Sequence, residues 1–592
     1  MNIAFSNAAL MKKIWALLSA KERKSAVLLL GFTFIGMILE TLSIGLIIPA
    51  VMFLMQDTTA NKHPAFKFVV EVLGHPDQRT QIVYVMVALV CIALVKGVFL
   101  GFLTWRQVSF AFDLQLHLSS RLFLTYLYQP YAFHLQRNSA ELIRNIVAEL
   151  GIIVKTAIQP TITFLTESLV LISIICLMLM VQPVGTMIAA VVLGIASWGF
   201  YRFTRLRIFR WGEVRQRHEG ARIKHLQQGL NGAKVVKLHG REQNFLDQYY
   251  FHEKSRLRVE KLQGTLIQLP RLWLEILAVI GLSVLVITML YQGQSMVSII
   301  SVMSFFAAAA FRFIPGVNKV ISSLQGLRYG VPVVNVVYEE LKLEQAVLVH
   351  ADRTAQRPFK ADIQLKDVSF IYPASQKYAL HGINLYVNKG ELVGFIGSSG
   401  AGKSTLVDVI LGLLVPSAGH VFVDGEDIHH AIRNWQDQIG YVPQSIYLTD
   451  DTIRRNVAFG LPDDKIDEQA VKKAITAAQL DVFINSLPKG LDTIVGERGV
   501  CVSGGQVQRV GIARALYHNP AVLVLDEATS SLDTETERGV MEVVNALQGE
   551  KTIMIVAHRL STVAYCDRLY RLADGRIVEE GKSKDVLKKK VS

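Results

Sequence analysis

The stretch Gly397-Ser-Ser-Gly-Ala-Gly-Lys-Ser404 fits the spacing G-x-x-x-x-G-K-[ST]. In the loop formed by Gly397, Ser398, Ser399, Gly400, Ala401 and Gly402, the glycines let the backbone curl so that its N–H groups point inward at a phosphate. Lys403 then reaches the β/γ-phosphates, and the Ser404 hydroxyl sits on Mg²⁺. Thr405 opens an apolar helix candidate running to Leu414, whose positive N-terminal end faces the same anion. The apolar run Leu392-Val-Gly-Phe-Ile396 precedes the loop as a strand. A glycine-rich turn before any helix is the plain alternative, and the flanking strand and helix argue against it.

Four further stretches supply what phosphate chemistry needs. Ala521-Val-Leu-Val-Leu-Asp-Glu527 reads as a buried strand ending in two carboxylates. Asp526 suits a hold on Mg²⁺, direct or through water, and Glu527 suits polarisation of the attacking water. Lys551-Thr-Ile-Met-Ile-Val-Ala-His558 is a second buried strand, and His558 is placed to bond the γ-phosphate and that water. Taken alone, a histidine at a strand end is more often structural. Gln444 offers a neutral oxygen for Mg²⁺ or water. Val502-Ser-Gly-Gly-Gln506, followed by a helix carrying Arg509 and Arg514, is a second phosphate-binding turn at a helix N-terminus. Tyr372 follows the alternating strand Ile363–Phe370 and can stack on an adenine ring; a sheet-edge tyrosine is the alternative.

These elements occupy the second part of a long chain. The 592 residues exceed one ordinary domain. They are 51% hydrophobic and only 19% charged, with a mean hydropathy of +0.34. The apolar surplus lies before about Pro315, which separates a membrane half from a soluble half. The net charge of +13 fits nucleic-acid binding or the basic flanks of membrane spans. The cysteines Cys91, Cys176, Cys501 and Cys566 are scattered, so neither a disulfide framework nor a metal site is expected. No signal-peptide pattern opens the sequence.

In chain order, residues 1–25 read as a cytosolic N-terminus. Its segment 8–20 either lies on the membrane as an interfacial helix or begins the first span. Residues 26–344 read as a transmembrane domain with six spans, placed at 26–55, 81–105, 157–181, 184–203, 268–291 and 293–315. The long polar stretches 106–156 and 204–267 keep helical periodicity. They read as spans continuing into the cytosol, with hairpin tips at Pro130 to Arg144 and Gly229 to Glu242. The arginines from Arg205 to Arg222 place the second stretch on the cytosolic side. An outside loop at 57–80 holds a short amphipathic candidate, Ala65 to Leu73. Residues 345–360 read as a linker and 361–592 as the ATP-binding domain.

The spans carry Glu40, Lys96, Glu167, Arg271, Glu275 and Arg312. Charge at membrane depth is costly and normally faces the bundle interior or a wet cavity. Lys96 falls about 22 Å into its span at 1.5 Å per residue. Lys96, Arg271 and Arg312 are thereby expected at the inner-leaflet level, where they would suit an anionic headgroup. Internal pairing is the competing reading, since Arg271 and Glu275 stand one turn apart.

The soluble half resembles the nucleotide-binding domain of ABC transporters over essentially all of 361–590. Val502–Gln506 resembles the family signature LSGGQ, with Val502 for the leading leucine and Ser503, Gly504, Gly505 and Gln506 kept. The resemblance makes Tyr372 the adenine-stacking aromatic, Gln444 the Q-loop glutamine, Asp526 the Walker B aspartate, Glu527 the catalytic glutamate, His558 the switch histidine and Asp533 part of the D-loop. Six α-helical spans fused ahead of one α/β P-loop ATPase domain resemble a type I exporter half, an ATP hydrolase coupled to transport with ATP and Mg²⁺ as cofactors. It implies a dimer, because each ATP lies between one copy's Gly397–Ser404 loop and the other's signature; a homodimer is the simpler reading, and a heterodimer is the alternative. Glu40-Thr41 with Pro49, Leu269 to Glu275, and Arg312 to Pro315 resemble bacterial flippases for lipid-linked oligosaccharides. That implies a polyprenyl-pyrophosphate glycan moved from inner to outer leaflet of the bacterial cytoplasmic membrane, with Lys96, Arg271, Glu275 and Arg312 as substrate candidates. A multidrug, lipid or peptide exporter shares the ATP site. The six apolar spans argue against a soluble ATPase acting on DNA, and an ATP-gated channel is a further alternative.

Overall fold

The computed structural model describes residues 7–46, 78–181, 183–294, 296–343, 358–373, 375–496, 499, 502–527, 534–557 and 559–588. The chain forms two compact units. One comprises Met1–Gln129 and Arg137–Gln345; the other comprises Pro130–Gln136 and Ala346–Ser592.

The first unit is helical. It contains α1 (Asn7–Leu17), α2 (Ala20–Gly45) and α3 (Gln78–Leu127). Between Pro130 and Arg144, where a hairpin tip is expected, stand the short helices α4 (Tyr131–Gln136), which belongs to the second unit, and α5 (Ser139–Arg144). After a stretch with π-helical turns at Asn145–Glu149 and Val154–Ile158 come α6 (Gln159–Val181), α7 (Pro183–Asn231), α8 (Ala233–Leu238), α9 (Glu242–Tyr291) and α10 (Met296–Lys342). The 50 residues of α3 measure about 75 Å at 1.5 Å per residue, against a hydrocarbon core of about 30 Å. Among the described residues, five helices are long and apolar enough to cross a membrane: Ala20–Gly45, Met86–Leu127, Ser139–Met180, Pro183–Asn231 and Glu242–Tyr291. The sixth expected span opens α10, where several first-turn side chains lie outside the described residues. So do the end of the first span, Pro49 and the candidate Ala65–Leu73.

The outward faces are those of bilayer helices: Val98, Ile195, Trp198 and Val279 are all exposed. The inward faces build a core from Ile44, Val170, Ile174, Leu285, Met289, Phe305 and Ala309. Helix α1 uses its apolar side inside the unit instead of on a lipid surface. Leu10, Ile14 and Leu17 are buried, and Lys13 Nζ donates to Asn335 Oδ1 at 2.7 Å, so α1 packs on α10. Farther along the helical extensions, Arg215 and Glu149 form a fully buried pair at 2.6 Å.

The second unit is α/β. An antiparallel sheet of order β2-β1-β4-β5 uses β1 (Asp362–Ile371), β2 (Tyr378–Asn388), β4 (Ala418–Val423) and β5 (Glu426–Asp427). A six-stranded sheet has the order β10-β9-β3-β8-β7-β6. Its members are β3 (Leu392–Gly397), β6 (Ile439–Val442), β7 (Val522–Asp526), β8 (Thr552–Val556), β9 (Arg568–Ala573) and β10 (Arg576–Gly581). All its pairings are parallel except β9 with β10. Alternation of side chains feeds two cores: Leu523, Leu525, Ile553 and Ile555 join one, and Val522, Val524, Met554 and Val556 join the other. Strands buried on both faces read as unbroken apolar runs, which is why β3, β7 and β8 are plain in the sequence. Parallel order also puts the C-terminal ends of β3, β8, β7 and β6 along one edge of the sheet, where ligands of open α/β sheets bind.

Candidate functional site

The loop after β3 turns directly into α11 (Lys403–Ile410). Gly402 caps that helix at φ +99°, and a Cβ there would stand 2.6 Å from the Ala379 carbonyl oxygen. Only glycine fits both conditions. Lys403 is 5% exposed and its Nζ donates to the Gly397 and Ser398 carbonyls, both at 3.0 Å. Its ammonium therefore lies within the curl of the loop. Burial lowers the Lys403 pKa, against the pull of Glu527 and Asp526.

The two carboxylates arrive from β7, which β8 separates from β3. Asp526 closes β7 and is 7% exposed; the Tyr441 hydroxyl reaches its Oδ2 at 3.5 Å. Glu527 follows in a left-handed conformation, φ +47°, with its N–H bonded to the Val556 carbonyl at 3.0 Å. A non-glycine residue held there carries strain of the kind found at functional sites. Gln444, just past β6, donates from Nε2 to Glu527 Oε2 at 2.7 Å. Its amide oxygen is thereby turned away from the carboxylate. Three strand ends thus bring Lys403, Asp526, Glu527 and Gln444 together.

Tyr372 is half-buried beside the first turn of α11. Its hydroxyl shares a 3.0 Å hydrogen bond with Thr405 Oγ1, and its ring meets Phe370 edge-on. An aromatic so placed flanks the loop that precedes α11. Asp408, one turn beyond Ser404, has its carboxyl pushed up to about 6, by burial first and by Asp526 second.

The turn Val502–Gln506 is built as a helix cap. Ser503 caps α12 (Gly504–Leu516) with Oγ accepting from the Gln506 N–H at 3.4 Å, while the Ser503 N–H donates to Gln506 Oε1 at 2.8 Å. Gly504 has open space where a Cβ would be. Arg509 and Arg514 on this helix are engaged elsewhere. Arg509 Nη1 donates to the Gln479 carbonyl at 2.7 Å. Arg514 donates to the carbonyls of Asn456 and Tyr447 at 2.8 and 2.7 Å, and to Asn456 Oδ1 at 3.0 Å. Asn456 is fully buried. The segment after Gln444 is therefore tied to the helix behind Ser503, a link that no spacing in the sequence announces. His558 and Asp533 lie outside the described residues.

In the helical unit the span charges fall into two groups. Arg312 Nε donates to Glu40 Oε1 at 2.9 Å and its Nη1 to Glu167 Oε2 at 2.9 Å. Lys96 stands 3.7 Å from Glu40 and donates to Ser43 Oγ at 3.3 Å. Lys319, just past the expected end of the sixth span, donates to Glu167 Oε1 at 2.7 Å. Arg271 does not join this cluster among the described contacts; it pairs with Glu275 on its own helix at 2.8 Å, and both are largely exposed. The expected ring of three cations is thus divided, because the short i, i+4 spacing satisfies Arg271 locally.

The chain is similar to known proteins in sequence and in fold. The family described as "ABC transporter" matches residues 380–530. An ATP-dependent lipid A-core flippase of Ralstonia nicotianae is 30% identical over 511 residues, covering 84% of each chain. One from Burkholderia orbicola is 31% identical over 512 residues, covering 85% of this chain and 84% of its own. Among solved structures, a bacterial Atm1-family ABC exporter with ATP bound superposes with a TM-score of 0.77 at 24% identity, covering 96% of both chains, a likeness of fold.

Proposed function

For a chain that belongs to the ABC transporters of the type I exporter family, an ATP-hydrolysing multi-pass translocase, we propose that the cargo is an anionic, glycan-bearing lipid. It would be moved from the inner to the outer leaflet of a bacterial cytoplasmic membrane. The observation that carries this reading is the Arg312 cluster: among the described residues, a guanidinium and two lysines gather about two carboxylates on the spanning helices and their extensions. Charge at that depth needs a reason. A phosphorylated headgroup supplies one, and arginine grips phosphate bidentately.

The best cargo is a polyprenyl-pyrophosphate-linked oligosaccharide. The curated relatives favour a second, lipid A-core, which is likewise an amphipathic lipid. Glu527 would orient the attacking water, with Gln444 holding its carboxylate, and Lys403 would hold the transferring phosphate. Ser404, Gln444 and Asp526 present hard oxygens, a donor set that suits Mg²⁺. Mg²⁺ there would neutralise charge on the phosphates. The cycle needs two copies, each supplying Ser503 to Gln506, and Asp533, to its partner's nucleotide. Tighter binding of ATP to the closed dimer would drive alternating access.

The test is translocation in liposomes by purified protein with a fluorescent polyprenyl-pyrophosphate oligosaccharide, ATP, and the Glu527→Gln variant as control. ATP-dependent movement absent from the variant is expected. Movement of fluorescent lipid A-core alone would transfer the assignment to that cargo. Stimulation of ATPase only by apolar drugs would replace the proposal with a general exporter.

A further inference from the structure

We propose that Arg509 is a positioning residue for the partner's ATP: set between Gln479 and Gly539, it fixes the helix that follows Asp533 against the helix that opens at Ser503. This rests on the reading that two copies share each nucleotide.

The two helices are α12 and α13 (Thr534–Leu547). Each begins at a segment that serves the partner's nucleotide in that reading, Ser503–Gln506 for one and Asp533 for the other. Arg509 stands six residues past Ser503, and Gly539 six past Asp533. Each is thus about 9 Å along its helix at 1.5 Å per residue. Gly539 is buried, and a Cβ there would collide with Arg509 Nη2 and come 3.5 Å from Arg509 Cζ. The guanidinium therefore lies against the bare backbone of α13, in the space a side chain would take. Its other terminal nitrogen is held: Nη1 donates to the Gln479 carbonyl at 2.7 Å. Gln479 follows the helix Glu468–Ala477 at φ +51°, with its N–H on the Thr476 carbonyl at 3.0 Å. Such a conformation persists only where the surroundings over-determine it, so this carbonyl is a fixed anchor. A planar group with donors at both ends fills a slot of this shape.

Helix α13 has a second seat on a different face. Glu537, two residues before Gly539, is 7% exposed; its Oε1 accepts from Thr562 Oγ1 at 2.9 Å and its Oε2 from Arg559 Nη1. Displacing Arg509 leaves that seat in place, so α13 shifts without coming loose. The consequence is directional. The copy's own Lys403, Asp526 and Glu527 are held by β3, β7 and the hydrogen bonds described above, none of which involves Arg509. What moves out of line is the pair of segments lent to the partner. A misplacement of about 1 Å, made far from the chemistry, can cost about 10²-fold in rate.

The two sites of one dimer can be read separately. Full-length chains bearing two different tags are co-expressed, one of them with Gly539→Ala, and mixed dimers are purified through both tags into nanodiscs. They are photolabelled with 8-azido-ATP in the presence of vanadate, which leaves label on the chain whose own Gly397–Ser404 loop holds the trapped nucleotide. The wild-type copy is expected to carry about tenfold less label than the Gly539→Ala copy, because its nucleotide faces the displaced segments. Less label on the Gly539→Ala copy, or equal label on both, overturns the proposal. In dimers of identical copies, Arg509→Gln and Gly539→Ala are each expected to lower kcat about 10–10²-fold while KM for ATP changes less than about threefold. The double variant is expected to match Arg509→Gln within about twofold, since the added methyl group then has no guanidinium to push. Losses that multiply overturn the proposal as well, because Gly539 would then act through packing of its own. Full turnover by single copies isolated in nanodiscs would instead sink the two-copy reading.

Discussion

Gln444 Nε2 donates to Glu527 Oε2 at 2.7 Å, joining the segment beyond β6 to the residue that closes β7. Two stretches more than 80 residues apart thereby act on one carboxylate oxygen. Glu527→Gln keeps the side-chain volume and removes the acceptor charge. Nucleotide binding is expected to persist while ATP turnover falls by about 10²–10⁴-fold, the range of a lost general base. Turnover near the wild-type rate would take Glu527 out of the reaction.

Gly402 is needed for its shape. A methyl group at φ +99° meets the Ala379 carbonyl at 2.6 Å. Gly402→Ala should weaken ATP binding by about 5- to 150-fold, since backbone strain of this kind costs about 1–3 kcal/mol. Gly549 also has a positive φ, +82°, with open space around it. Gly549→Ala serves as the comparison, and equal ATP affinity in the two variants would remove the special role of Gly402.

Asn456 holds the segment after Gln444 to α12. Its Oδ1 accepts from Thr449 N–H and Arg514 Nη2, both at 3.0 Å, and its Nδ2 donates to Thr449 and Thr452 carbonyls at 3.0 and 3.1 Å. Asn456→Ala strands these groups in a buried place. Loss of stability of about 2–4 kcal/mol is expected, read as a lower midpoint in denaturant titration of the full chain. An unchanged midpoint would mean that water replaces the amide.

Asp408 gives a pH dependence with a definite sign. Its carboxyl is raised to about 6 in the folded chain, above the ordinary 3.8. Between these values the folded state binds more protons, so this group's contribution to stability is lost as pH rises through about 6. Asp408→Asn should raise the thermal midpoint at about pH 8 and leave it unchanged near pH 4. A gain of equal size at both values would point to packing instead of charge.

Much of the ATP site is legible in the chain because its parts are local. A loop of fixed spacing, two apolar strands and a capped glycine turn each carry their own physical cause: φ > 0 at glycine, burial on both strand faces, a serine satisfying helix N–H groups. The spans are legible for a similar reason, since a run of apolar residues long enough to cross hydrocarbon is a property of consecutive positions. The lengths of the helices past the membrane follow from unbroken periodicity.

What folding in three dimensions decided is who meets whom. Arg271 and Glu275, one turn apart, pair as their spacing allows, whereas Arg312 meets Glu40 and Glu167 from 272 and 145 residues away. Lys319 carried no local signal, since a lysine just past the expected end of a span is usually a solvated flank. Arg514 and Asn456 looked like ordinary helix and loop residues, yet they lock the second phosphate turn to the Gln444 segment. Such links depend on packing of strands and helices distant in the chain. No local propensity encodes them, because an ion pair or buried amide is fixed only when low-dielectric surroundings leave its partner nowhere else to go.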